Sequence, residues 1–211
     1  MIKILIVDDH TIVRKGIKQL LDDTSDIRVM AEAGDTPEML KKINHQDFDA
    51  VILDISLPGR SGVEALKQLK SIHPNLPVLI LSMYPEDQYA LRVIKSGAAG
   101  YLTKGSAPAE LETAIRKIAR GKRYISSKVA ETLADHLNEP VKTPAYKSLS
   151  DREFEVLKRI ASGETLTDIS ENLSLSAKTI STYRTRIMNK LNLNNNSELI
   201  RYAIQHNLVE L

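Results

Sequence analysis

The chain has 211 residues, 42% hydrophobic and 27% charged, a balance typical of soluble globular proteins with room for one large domain or two small ones. It has no cysteine, which excludes disulfides, thiolate metal sites and cysteine nucleophiles and fits a reducing compartment. Net charge is +2, and no apolar stretch approaches the roughly 20 residues that a membrane helix needs.

The opening residues, MIKILIVDDH, read as a strand broken by two acids and lack the apolar length and cleavage site of a signal peptide. The expected location is the cytoplasm, with no membrane partner. Apolar runs predict strands over 4–7, 27–33, 51–53, 78–81 and 98–102. Between them, helix-period segments cover 11–21, 36–43, 63–70, 87–95 and 109–118. This alternation predicts βαβ units, a parallel sheet and right-handed crossovers. Pro37 and Pro108 sit near helix starts, Gly59, Gly62, Gly97 and Gly100 at turns, and Gly121 at a helix end.

The stretch AVILDISLP, residues 50–58, concentrates the chemistry. An apolar, β-branched run suits a strand buried on both faces, and it ends in Asp54. A carboxylate there is costly unless it meets solvent, a cation or a partner. In open α/β sheets the strand ends are also where ligands bind. Asp54 is therefore a functional carboxylate or a helix cap. The first strand ends in Asp8 and Asp9, the fourth in Ser82, and the fifth leads to Lys104. Singly, each has an ordinary reading as a cap, a turn residue or a solvated cation. Together, parallel strands place three acids, a hydroxyl and a lysine along one rim. Three carboxylates suit Mg²⁺, a hard cation that takes oxygen ligands. Such a site lets an Asp carboxylate attack phosphorus, with Lys104 and Ser82 on the phosphoryl oxygens. The product is an aspartyl phosphate.

The pieces IVDDH at 6–10, LDISLPGRSG at 53–62, LS at 81–82 and GYLTKG at 100–105 closely resemble the receiver domain of bacterial two-component response regulators. The resemblance covers residues 1–121. It implies a flavodoxin-like sheet in the order 2-1-3-4-5. It implies that Asp54 accepts the phosphoryl group, and that Asp8, Asp9, Asp54 and the backbone carbonyl of Ser56 bind Mg²⁺. Ser82 and Tyr101 are then a switch pair, with Tyr101 turning inward as Ser82 moves toward the phosphate. Without the resemblance, Tyr101 reads as a half-buried strand aromatic. By the same analogy Ser56 and Tyr84 tune the lifetime of the phosphate, Tyr84 by screening it from water.

Residues 122–147 read as a linker. Ser126 or Ser127 can cap a short helix with the stripe Val129, Leu133 and Leu137, and a flexible tether over 140–148 follows, with Pro140 and Pro144. Residues 148–211 carry helix signals and no strand pattern. Ser150 and Glu153 form a capping box for a helix with Val156, Leu157 and Ile160 inward, ended by Gly163. A second helix is expected over 167–173, a third from the Ser176 cap over 177–191, and a fourth over 198–206 after the turn Asn194-Asn195-Asn196.

No acid occurs between Glu171 and Glu198, whereas Lys178, Arg184, Arg186 and Lys190 do. On a helical wheel Ser181, Thr182, Thr185 and Asn189 fall within about 60° of Lys178, opposite Ile180, Ile187 and Leu191. A polar helix face is ordinarily just solvated. Here the side chains are small and hydroxylated and the flanks are cationic, which suits base edges in a major groove and phosphates beside them.

The phrase LSDREFEVLKRIASG and the following DISENLSLSAKTISTYRTRIMNKLNL resemble the LuxR-type helix-turn-helix domain. Joined to the receiver, this is the architecture of the NarL/FixJ family, and YRTRIMNKL resembles its GacA/UvrY-like members. The family implies that the helix over 177–191 reads the major groove. Ser181, Thr182 and Thr185 then face bases, while Lys178, Thr179, Arg186 and Lys190 contact phosphates. Some relatives have lysines where this chain has hydroxyls, which suggests methyl or water-mediated readout. Leu199, Ile200, Ala203 and Ile204 form an apolar stripe that in part closes the core and in part pairs two DNA-bound copies.

The expected protein is a transcription regulator rather than an enzyme. Its partners are a sensor histidine kinase, promoter DNA, RNA polymerase and a second copy of itself. One rival is a Mg²⁺-dependent phosphohydrolase using Asp54. That chemistry calls for an acid two residues after the nucleophile, where this chain has Ser56. The other is a DNA-binding protein whose receiver is never phosphorylated, against which stand Asp8, Asp9, Asp54, Ser82 and Lys104.

Overall fold

In a computed structural model the chain divides into two compact units, Met1–Glu139 and Pro140–Leu211. The structure describes residues 1–58, 61–106, 108–126, 129–130 and 144–209. Gly59, Leu133, Leu137 and Pro140 lie outside the described residues, and with them most of the expected linker helix.

The first unit contains strands β1 (Ile2–Val7), β2 (Ile27–Ala33), β3 (Ala50–Asp54), β4 (Val78–Ser82) and β5 (Gly100–Thr103). Between and after them run helices α1 (Thr11–Asp22), α2 (Thr36–His45), α3 (Gly62–Ile72), α4 (Glu86–Lys95) and α5 (Pro108–Ala119). All pairings are parallel and the order is β2-β1-β3-β4-β5. Ile4, Ile6, Ile52, Leu79 and Leu81 bury one sheet face against Ile17 and Leu21 of α1 and Leu111, Ile115 and Ile118 of α5. Leu5, Val7, Leu53 and Ile80 are equally buried and alternate to the other face.

Register decides where the chemistry sits. Val7 pairs with Leu53, Asp54 with Leu81, and Ser82 with Thr103. The strands therefore finish level, and the residues ending β1, β3, β4 and β5 share one rim. The expected strand over 98–102 starts two residues later, because the Ala99 N–H bonds Val78 before the ladder begins at Gly100. Directly under the rim, Gly62 opens α3 against β3. A Cβ there would stand 2.0 Å from the Asp54 carbonyl oxygen.

The second unit starts with a 3-10 turn at Ala145–Ser148, followed by α6 (Asp151–Ala161), α7 (Leu166–Asn172), α8 (Ala177–Leu191) and α9 (Asn196–Gln205). Phe154, Leu157, Ile169, Ile180, Ile187, Leu199 and Ala203 are buried. The helix starts are specified locally. Ser150 with Glu153 and Thr165 with Asp168 form capping boxes, and Ser176 and Asn195 cap α8 and α9. The last helix starts earlier than the expected 198, since the Asn195 side chain takes the Glu198 N–H at 2.9 Å. Gly163, at φ +89°, follows α6, and Asn192, at φ +54°, ends α8.

Two glycine substitutions test the packing. Gly62→Ala should lower unfolding stability by about 2 kcal/mol or more, because the backbone of Asp54 must move. Gly16→Ala, on the open face of α1 with nothing within 4 Å, should raise it by about 0.5–1 kcal/mol. Urea denaturation of both variants checks the pair.

Candidate functional site

The rim gathers what the sequence suggested. Asp8 and Asp54 are each 2% exposed, and Ser82 is fully buried. The Lys104 ammonium donates to Asp8 Oδ2 at 2.7 Å and to Asp54 Oδ2 at 2.8 Å. Asp9 lies further out. Asp8 is not a helix cap: its Oδ1 accepts the His10 N–H at 2.8 Å, and His10 itself provides no cap to α1. The β1–α1 turn is held by Arg14, whose guanidinium donates to the Asp8 carbonyl at 2.6 Å and to Glu32 at 3.2 Å.

One ammonium facing two buried carboxylates leaves a net negative charge. Burial pushes the Asp54 carboxyl above its ordinary range and the neighbouring Asp8 adds to this, although Lys104 pulls it down. Burial alone would weaken the Lys104 ammonium, but Asp54 and Asp8 raise its pKa above the ordinary value. Asp54 Oδ1 is buried and accepts no hydrogen bond. Asp8, Asp9, His10 and Asp54 each bring one donor atom within 4.8 Å of the others. An unpartnered buried oxygen in a negatively charged nest of oxygens suits a hard dication. His10 was not singled out from the sequence; its ring nitrogen lies 2.7 Å from Asp9 and 3.3 Å from Asp8.

Next to the acids, the Ser82 hydroxyl accepts the Tyr84 N–H at 3.2 Å. The Tyr101 side chain is buried and points inward, its hydroxyl donating to the Tyr84 carbonyl at 2.6 Å. Burial holds the Tyr101 phenol well above its usual pKa. Tyr84 stacks on Tyr89 of α4 at 4.8 Å between ring centres. The Tyr84 ring is thus part of the link between Ser82, Tyr101 and α4, a contact that spacing alone does not signal.

The first unit, residues 4–116, matches the model of the response regulator receiver domain, and residues 147–203 match that of the luxR family of bacterial regulatory proteins. The chain is a response regulator. It is 39% identical to the response regulator UvrY of Escherichia coli over 209 residues, 99% of this chain and 96% of the relative. It is 38% identical to the response regulator GacA of Pseudomonas syringae pv. syringae, over all of this chain and 99% of the relative. It also resembles the structure of RcsB from Salmonella enterica serovar Typhimurium bound to promoter rprA with the phosphomimetic BeF3−. That likeness has a TM-score of 0.66 and 27% identity, and covers 96% of this chain and 98% of the other.

In this regulator's second unit, α8 presents Lys178, Ser181, Thr182, Thr185, Arg186 and Asn189 to solvent, with Thr179 half-buried. Thr182 donates to the Lys178 carbonyl at 2.9 Å and Thr185 to that of Ser181 at 3.0 Å. Their outer surface is therefore methyl and oxygen lone pair. Arg184 is turned to Asn196 at 2.7 Å, tying α8 to α9. Lys190 donates to Glu153 at 2.6 Å, joining the end of α8 to the capping box of α6. The apolar stripe on α9 divides. Leu199 and Ala203 are fully buried in the core of their own unit and are the part of the stripe that closes it; Ile200 and Ile204 stay partly exposed.

Lys104→Met tests the charge balance of the rim. It leaves Asp8 and Asp54 facing each other without an ammonium, and should cost about 3 kcal/mol of stability. Millimolar Mg²⁺ should recover more stability in the variant than in the parent, read from thermal unfolding with and without the ion.

Proposed function

We propose that Asp54 is the phosphoacceptor of this regulator, and that its phosphorylation by a sensor histidine kinase controls sequence-specific binding of α8 to promoter DNA. The observation that carries the reading is the Asp54 side chain itself. One oxygen is held by Lys104 and the other is buried without a partner, at the rim where ligands bind in open α/β sheets. Phosphoryl transfer forms an O–P bond at Asp54 and breaks the donor's N–P bond. Lys104 stays charged and meets a phosphoryl oxygen as a point cation. The Ser82 hydroxyl, which takes the Tyr84 N–H here, would turn to donate its proton to another.

Asp8, Asp9, Asp54 and the Ser56 carbonyl would hold Mg²⁺, which neutralises charge on the transferring oxygens when bound. Ser56 in place of an acid leaves no side-chain base two residues from Asp54, so the phosphoenzyme persists as a signal rather than turning over. The Tyr84 ring, fixed by Tyr89, stands beside Ser82 and shields the acyl phosphate. The gene-regulating copy acts in the cytoplasm, pairs with a second copy on DNA through Ile200 and Ile204, and engages RNA polymerase from there.

On DNA, Ser181, Thr182 and Thr185 face base edges. With their hydroxyl protons on the helix backbone, Thr182 and Thr185 offer methyl groups and acceptors, which match the thymine methyl and the amino groups of adenine and cytosine. Lys178, Thr179, Arg186 and Lys190 contact phosphates, Lys190 by leaving Glu153.

Incubation with acetyl phosphate and Mg²⁺ should add one phosphoryl mass to the intact chain and none to Asp54→Ala. A parent chain that stays unmodified, or an equally modified variant, contradicts the assignment. On DNA, Arg186→Ala should reduce the dependence of log affinity on log salt by about 1 without changing the preferred sequence. Thr182→Ala should instead shift discrimination at one base pair by about 1–3 kcal/mol. Binding isotherms over a salt series, on a selected site and its single-base variants, separate the two.

A further inference from the structure

The chain leaving α5 is fastened to the first unit at two points of different character. At the first, the Tyr124 N–H donates to the Ala99 carbonyl at 2.8 Å, and Tyr124 bridges Gly100 beside β5. Gly100 is needed for that approach, since a Cβ there would lie 2.8 Å from the Tyr124 carbonyl oxygen. This is backbone held to a sheet and has little room to move.

The second point is made of side chains. The Ser126 hydroxyl donates to the carboxylate of Glu86, the first residue of α4. The same oxygen accepts the Val129 N–H at 3.3 Å, and the Ser126 carbonyl accepts the Ala130 N–H at 2.9 Å. Ser126 therefore caps the turn at Val129 and Ala130, and its own proton is spent on α4.

The α4 end of this contact belongs to the switch. Tyr84, two residues before Glu86, is bonded through its N–H to Ser82 and through its carbonyl to Tyr101, and its ring rests on Tyr89 within α4. Pro85 stands at the N-cap of α4 and makes no side-chain cap bond. The Glu86 charge also raises the pKa of Tyr101 and of Tyr124, as a group placed between the two would. When Ser82 turns to a phosphoryl oxygen, the Tyr84 N–H loses its acceptor, and the start of α4 shifts with it. Tyr124 stays on the sheet while Glu86 moves relative to Ser126.

We propose that Ser126 and Glu86 are positioning residues that convert the state of Asp54 into making or breaking the Ser126 cap on Val129 and Ala130. This rests on Asp54 as the phosphoacceptor. The Glu86 carboxylate fixes the Ser126 rotamer whose oxygen accepts the Val129 N–H, so loss of the Glu86 contact frees Ser126 to rotate away from the cap.

Amide hydrogen exchange of the full chain, with and without beryllofluoride and Mg²⁺, tests it. In the parent chain, exchange at Val129 and Ala130 should change at least threefold on activation. In Glu86→Ala the change should fall below twofold, while the amide resonances of Ser82 and Tyr101 still shift. Glu86→Gln, which keeps an acceptor for Ser126, should restore the response. A Glu86→Ala chain that responds like the parent overturns the proposal. So does a parent chain in which Ser82 and Tyr101 shift but Val129 and Ala130 do not. If Ser82 and Tyr101 themselves ignore beryllofluoride, the reading of Asp54 falls first and this one with it.

Discussion

A single ammonium between two buried carboxylates sets the character of the receiver. Lys104 reaches both Asp8 and Asp54 from the end of β5, and without it two like charges would face each other out of water. The sheet exists in a form that makes this meeting unavoidable: parallel strands of matched register end together, and apolar side chains on both faces leave the rim as the place for charge. The ammonium does not finish the job. One carboxylate oxygen of Asp54 stays buried and unpartnered. The site is stable enough to fold yet keeps an excess of negative charge, which suits a bound cation.

The second unit solves a different problem. A small four-helix domain that reads DNA must keep one helix face free of its own core. The helix starts are fixed by local caps, so the apolar faces of α6, α8 and α9 can be spent on packing. Even Lys190 and Arg184, cations on α8, are turned toward neighbouring elements. Among the described residues of α8, Lys178 and Arg186 are the exposed cations without an ion pair, and they flank the hydroxyl stripe.

Much of this was legible in the sequence because it rests on local patterns. The five apolar runs, the capping box at Ser150 and the Asp-Asp, Asp54 and Lys104 strand ends are each read within a few residues, and parallel topology brings them together. Helix ends were less legible. Asn195 competes for the Glu198 N–H with its side chain, which moves the start of α9 into what reads as a turn. The apolar stripe of α9 showed which residues are hydrophobic but not which of them the core would take; Leu199 and Ala203 are the buried ones. Side-chain contacts across turns and between segments were invisible: Arg14 on the Asp8 carbonyl, Tyr84 on Tyr89, Ser126 on Glu86. They depend on how loops close after the sheet has formed, and no periodicity encodes them.

On the proposed reading, a covalent anion on Asp54 changes how α8 meets DNA. The most direct measurement is the affinity of one selected DNA site for the full chain, with and without beryllofluoride, at fixed salt and protein concentration. The account predicts tighter binding with beryllofluoride in the parent chain and no difference in Asp54→Ala. Equal affinity with and without beryllofluoride in a parent chain whose Ser82 and Tyr101 resonances have shifted would contradict it, since the receiver would then have switched without the DNA-binding unit responding.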